Sequence, residues 1–300
     1  MQRAIERPVR RLCAVVGFGA AFAGLAVSSA RAADDDDGPK PDKSGYTLFN
    51  PVPDSALRSF SPDRPAKSTG PYTVDAGRVQ LESDFATFTL QKVDGVRTTT
   101  VFGPNPNLKI GITNFLDFQM NLAPFMALRI EDKDAETNER WSGQGDLFLR
   151  AKLNLWGNEG GKTAFALIPY VKVPTAATGL GNGATEGGVI GALQVSLPGD
   201  ASLLVNSEVD WLKDATAGGY HGNYINAIGI TVPVVKDVAF TAELWSQITD
   251  DPDGTVRQYS ADIALAWTVR PNMQLDVGAN FGLNKDTPQL QLYSGIAYRF

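Results

Sequence analysis

The stretch "GDLFLRAKLNL", residues 145–155, decides how this chain folds. Leu147, Leu149, Ala151, Leu153 and Leu155 share one parity, while Asp146, Phe148, Arg150, Lys152 and Asn154 share the other. A side-chain period of two belongs to an extended strand with one apolar and one polar face, whereas a helix repeats every 3.6 residues. The same division recurs in "DFQMNL" (117–122) and "MQLDVGANFGL" (273–283). It also recurs in the ending "LYSGIAYRF", where Leu292, Ser294, Ile296, Tyr298 and Phe300 alternate with Tyr293, Gly295, Ala297 and Arg299.

Working outward, the alternation predicts twelve strands near 78–90, 105–112, 115–125, 143–155, 163–173, 186–197, 201–212, 223–233, 238–248, 257–269, 273–283 and 289–300. Their connectors alternate in length. Long ones rich in Gly, Asp, Asn, Lys and Thr fall near 91–104, 126–142, 174–185, 213–222, 249–256 and 284–288. Short ones fall at 113–114, 157–162, 198–200, 234–237 and 270–272. Strict interleaving puts all long loops at one end of an up-and-down meander, the loop asymmetry of bacterial outer-membrane barrels.

The N-terminus points the same way. Arg3, Arg7, Arg10 and Arg11 form a basic region, Leu12 to Val27 is apolar, and Ala30-Arg31-Ala32 supplies small residues at a cleavage site. Residues 1–32 therefore read as a signal peptide. Their removal takes away five arginines and one glutamate, changing the formal charge of −6 to −10. Such a balance argues against a nucleic-acid partner, which requires a basic face. The single cysteine, Cys13, leaves with the signal peptide, so the mature chain holds itself by a large core or a closed hydrogen-bond ladder rather than by disulfides. Residues 33–70 contain six prolines, an Asp run and little periodicity, and read as a periplasmic extension preceding a barrel over 71–300. Within that extension Tyr46, Leu48, Phe49, Leu57 and Phe60 are apolar residues free to dock, so both a flexible tail and a docked segment fit its composition.

Alternation alone does not say which face is buried. The polar face carries Glu82, Asp84, Asp117, Asp146, Glu186, Glu208, Asp210, Glu243, Asp262 and Asp276, accompanied by Lys109, Arg150, Lys152, Lys172 and Arg299. The apolar face carries aromatic residues at both strand ends: Trp267, Tyr298 and Phe300 toward the short turns, Trp211 and Tyr259 toward the long loops. Two aromatic girdles are what lipid headgroups select. The expected fold is thus all-β, a twelve-stranded antiparallel up-and-down transmembrane β-barrel with the apolar face in lipid and those fifteen charged residues in the lumen. Leu292, Ile296, Tyr298 and Phe300 in the closing strand form a candidate signal for the barrel-assembly machinery.

Four stretches carry a family resemblance: "SPDRPAKSTGPYTVDAGRVQLESD" (61–84), "NLKIGITNFLDFQMNL" (107–122), "GQGDLFLRAKLNLWGNEGGKTAFALIPYVKVPT" (143–175) and "LDVGANFGLNKDTPQLQLYSGIAYRF" (275–300). In this order they resemble the outer-membrane proteins known as the MetA-pathway of phenol degradation, or transporter, family. The resemblance implies an outer-membrane barrel that passes small, often aromatic or hydrophobic compounds, and it brings no catalytic residues.

Other chemistry fits the sequence poorly. "GNEGGKT" (157–163) lacks the first glycine of a phosphate-binding loop, because Trp156 stands there, and no helix follows. "TDDPDG" (249–254) has Thr249 at the first position of a calcium loop and Ser260 at the twelfth, where Glu belongs. His221 is the only histidine, so a Ser–His lipid hydrolase would have to run through a residue in the Gly-rich loop "AGGYHGNY". No cofactor and no metal centre are expected. The sequence predicts a passive channel for small-molecule solutes, embedded in outer-membrane lipid and lipopolysaccharide, with an acidic lumen that disfavours anions. A structural or surface-interaction barrel, with the long loops as its working part, is the alternative.

Overall fold

The computed structural model describes residues 42–300, so the predicted signal peptide and the Asp run lie outside the described residues. Fifteen strands are present: β1 (Val79–Val93), β2 (Val96–Phe102), β3 (Asn105–Thr113), β4 (Leu116–Leu122), β5 (Met126–Asp132), β6 (Thr137–Gly143), β7 (Leu147–Trp156), β8 (Thr163–Val173), β9 (Glu186–Ser196), β10 (Ser202–Lys213), β11 (Tyr220–Val235), β12 (Val238–Thr249), β13 (Val256–Arg270), β14 (Met273–Gly282) and β15 (Leu290–Arg299). Every pairing is antiparallel. The ladder closes through β15 against β1, in a register that runs from Gln80 opposite Arg299 to Leu90 opposite Leu290.

Twelve strands (β1, β3, β4 and β7 to β15) make the closed wall. The remaining three correct the sequence reading. The expected loops 91–104 and 126–142 contain β2, β5 and β6, which extend the wall beyond the barrel at the long-loop end. The split occurs within β1. Its first half, Val79–Asp84, pairs with β3, and its second half, from Thr87, pairs with β2. Asp94 and Gly95, both at positive φ, join β1 to β2 in a two-residue turn that matches the twist of the flanking strands. Strands β5 and β6 follow as a hairpin whose inner face buries Phe102, Met126, Leu128 and Ile130 with Leu180 from the β8–β9 loop, while Trp141, Ala176 and Ala177 pack against that cluster. We call these three strands the flap.

Along the barrel strands the outward parity is apolar and exposed: Ile228, Ile230, Leu244, Ile263, Leu265, Val277 and Leu292 all face out. A band this size would be costly in water, and a closed ladder with no free edge is what a bilayer tolerates. Aromatic residues mark both limits of the band, with Trp211 and Tyr259 near the long loops and Trp267 and Phe300 near the short turns. Trp156 stacks on Phe165, ring centroids 4.9 Å apart, and Tyr298 meets Phe300 edge-on at 4.8 Å. Among the described residues no helix is long and apolar enough to cross a membrane, and none is needed.

Candidate functional site

The extension expected over residues 33–70 is, from Arg58 to Val74, an inserted segment that enters the barrel from the short-turn end and returns to start β1. Its sequence "DRPAKS" (63–68) meets the wall charge for charge. Lys152 contacts the Asp63 carboxylate at 2.7 Å, and Lys109 bonds both Asp63 and Glu82. The Asp63 amide donates to Glu82 at 3.0 Å. Arg64 reaches Asp276 through two parallel bonds of 3.0 and 2.7 Å and Asp84 through a third of 2.5 Å. Lys67 lies 3.2 Å from Asp262, donates to the Ser260 hydroxyl at 2.5 Å, and sits over the Trp245 ring. The Lys67 and Ser68 amides donate to Glu243 at 3.1 and 3.2 Å.

The three prolines, Pro62, Pro65 and Pro71, remove donors and fix φ, which suits a segment that cannot join a ladder. Its backbone groups are satisfied by the wall instead. Thr69 exchanges two bonds with Asn206, Pro71 accepts from Asn154, and the Val74 amide donates to Asp117 at 2.9 Å. Arg64 also imposes a requirement on the wall behind it. A Cβ at Gly295, between Ser83 of β1 and the guanidinium, would overlap both. Buried ion pairs add little net stability, but leaving one partner alone is expensive, so these pairs fix where the segment sits.

At the mouth a second network holds the segment's root. Arg58 donates to Glu159 at 2.7 Å and through its amide to Asp75 at 3.0 Å, and Lys43 contacts Glu159 at 2.8 Å. Arg299 donates to the Arg58 carbonyl at 2.8 Å, which joins the last strand to the segment. Burial opposes the charge of Glu159, yet Lys43 and Arg58 hold its carboxyl below the usual carboxylate range.

Toward the long-loop end the remaining charged residues are arranged differently. Lys172 joins Glu186 at 2.7 Å and Asp146 at 3.3 Å. Asp210 accepts from Tyr170 and Asn223, each at 2.8 Å, and buried Glu208 lies two residues before it on the same face of β10. Arg150 stands over the Phe148 ring. The fifteen charged residues of the polar face thus divide into those that clasp the segment and those that lie along the wall beyond it. Leu292, Ile296, Tyr298 and Phe300 lie on the opposite, outward parity, and the Phe300 amide donates to Val79 at 2.9 Å.

Sequence reasoning missed two sets of inward residues. One is the segment's own Asp63, Arg64 and Lys67. The other is apolar: Ala166, Ile168, Tyr170, Ile190 and Ala192 join Phe148, already placed on the polar parity, in a buried cluster on the inner wall of β7 to β9. Ile225, Trp245 and Tyr293 share the inward parity of β11, β12 and β15. Gly278 leaves the space that the Tyr293 ring occupies. A hint for the first set was present in the acidic surplus of the polar face, which requires cations from elsewhere in the chain.

His221, expected in a loop, is instead the second residue of β11, opposite Leu212 of β10, with its Nδ1 2.7 Å from Asp214 and its Nε2 3.7 Å from Asp251. Among the described residues no group of three or more His, Cys, Asp or Glu could hold a metal ion.

The fold recurs in solved structures. The crystal structure of an outer membrane channel from Pseudomonas putida F1 superposes with a TM-score of 0.60 at 15% identity, over 78% of this chain and 99% of that one. The NanC porin aligns with a TM-score of 0.46 at 10% identity over 73% and 98%, and the CymD monoaromatic hydrocarbon channel with 0.42 at 9% over 74% and 87%. No curated protein matches the chain. The model of the family described as putative MetA-pathway of phenol degradation matches residues 62–300, and the chain belongs to that family.

Proposed function

We propose that this protein is an outer-membrane channel for small molecules, with aromatic or hydrophobic compounds as its solutes. The observation that carries this reading is the two-part lumen. A charged half is filled by the inserted segment, and an apolar, aromatic half on β7 to β9 is lined by Phe148, Ile168, Tyr170 and Ile190. A lumen meant only for hydrated ions has no use for buried isoleucines, whereas a ring-shaped solute with one hydroxyl finds apolar contact there and a hydrogen-bonding partner in Asp210 or Tyr170. The family description supports the same solute class. The family match also begins at Pro62, so the inserted segment from Pro62 onward belongs to the shared module rather than to a variable leader.

In this reading passage needs no catalytic residue, and rate and preference follow from lumen shape and charge. The test is entry into proteoliposomes of a phenol series against sugars of similar size. Faster entry of the phenols supports the proposal, and no entry of any solute would make the protein a structural barrel. The acidic surplus along the wall should also favour cations over anions. Anion-selective reversal potentials in planar bilayers would refute that part.

A further inference from the structure

The outer face of the flap carries a feature the channel does not use. Strand register places Lys92 beside Arg97, Arg97 beside Glu131, and Glu131 beside Asn138, in one row across β1, β2, β5 and β6. The next row toward the barrel runs Leu290, Leu90, Thr99, Arg129, Arg140, and the row after it Leu292, Phe88, Val101, Ala127, Ser142. The opposite parity (Thr98, Thr100, Leu128, Ile130) is buried, so the residues of these rows on the flap strands point away from the barrel axis. Four cations and one carboxylate therefore share one outward surface, on a protein whose net charge is negative.

That surface begins where the lipid-facing band ends. Leu292 and Val101 are exposed apolar residues of the last row, and the arginine rows stand one and two steps above them, about 7 to 14 Å farther along the strands. This is the depth of the headgroups of the outer leaflet. The arginines are also incompletely matched within the protein. Glu131 is shared, 2.7 Å from Arg129 and 4.0 Å from Arg97. Arg140 lies directly opposite Arg129 across the β5–β6 pair, and no carboxylate among the described residues pairs with it. Like charges directly opposite one another on a sheet are unfavourable unless an anion lies between them.

We propose that Arg97, Arg129 and Arg140 form a binding site for the phosphate groups of an outer-leaflet glycolipid. Guanidinium groups bind phosphate through paired donors, and a flat sheet presents three of them in a plane parallel to the barrel wall. The site anchors the flap against the membrane surface. It is independent of the channel reading, because no residue of the lumen takes part.

The experiment uses the full-length barrel in detergent, titrated with a bisphosphorylated lipid A, with its dephosphorylated counterpart and with inorganic phosphate. Wild type should bind the phosphorylated lipid at least about ten-fold more tightly than the dephosphorylated one. The triple variant R97Q/R129Q/R140Q should lose that difference, with the folded band on unheated gels confirming the barrel. R140Q alone, at the exposed edge of β6, should lose part of it. Equal binding of both lipids by wild type overturns the proposal, as does undiminished preference in a folded triple variant. If inorganic phosphate competes as strongly as the lipid, the site is one for a free anion and the lipid assignment fails.

Discussion

Arg64 offers the most direct perturbation of the lumen. Its guanidinium makes three charge-assisted bonds, two to Asp276 and one to Asp84, and all three side chains are almost fully buried. Replacing it with Met, a side chain of similar length, leaves two carboxylates facing each other without a cation. Removing one partner of a buried pair costs about 3–5 kcal/mol. Removing all of the charge should cost far less, so R64M combined with D84N and D276N is expected to recover most of that loss, to within about 1–2 kcal/mol of wild type. The assay is urea unfolding of the refolded barrel, read by the unheated gel band and by tryptophan emission. Trp245, whose ring centroid lies 4.1 Å from the Lys67 ammonium, reports locally on the segment. Single-channel conductance gives a second reading and should rise in R64M as the segment loses its anchor. A loss below about 1 kcal/mol, with unchanged Trp245 emission and conductance, would refute the view that this arginine fixes the segment.

Other expectations follow from single residues. G295V puts a side chain where Arg64 and the Ser83 carbonyl already lie, and should destabilise the folded barrel by about 1–3 kcal/mol in the same urea assay, while conductance rises as in R64M. Glu159 has its folded pKa held below its ordinary 4.5, so its contribution is complete above that value and is lost as pH falls through the lower, folded value. E159Q should therefore cost about 0.5–1 kcal/mol at neutral pH and nothing in strong acid; an equal cost across the range would count against the mouth network. F300D should lower the amount of heat-modifiable barrel in outer membranes while leaving the conductance of the protein refolded in vitro unchanged. Normal levels in membranes would remove Phe300 from the assembly signal.

The barrel wall was legible because lipid enforces its pattern. Each strand must present apolar residues outward at a strict period of two, and segments such as 145–155 or 273–283 show little else. The flap was less legible for a local reason. Its outward residues include Arg97, Arg129, Glu131 and Arg140, so the alternation there is charged against apolar in the opposite sense and resembles a polar loop. The Asp94-Gly95 pair between Val93 and Val96 was nevertheless a strong hairpin signal. The inserted segment was hidden for a different reason. Nothing near Arg64 in sequence accounts for it, since its partners are 20 and 212 residues away. The lumen's apolar cluster was masked by the same alternation that revealed the strands, because an inward Ile168 or Ile190 sits between outward apolar residues and blurs the period rather than breaking it.

The division of the long-loop end has a practical consequence for anyone who would use this barrel to display a foreign peptide. Surface loops of such barrels are ordinarily treated as interchangeable insertion sites, yet here 91–104 and 126–142 are wall and 174–185 supplies Leu180 to the flap's core. Grafts placed there would cut structure. Residues 215–218 and 252–255 are exposed and bond to each other through Thr216 and Asp253 rather than to the flap, and a passenger inserted in either connector leaves both the flap and the lumen intact.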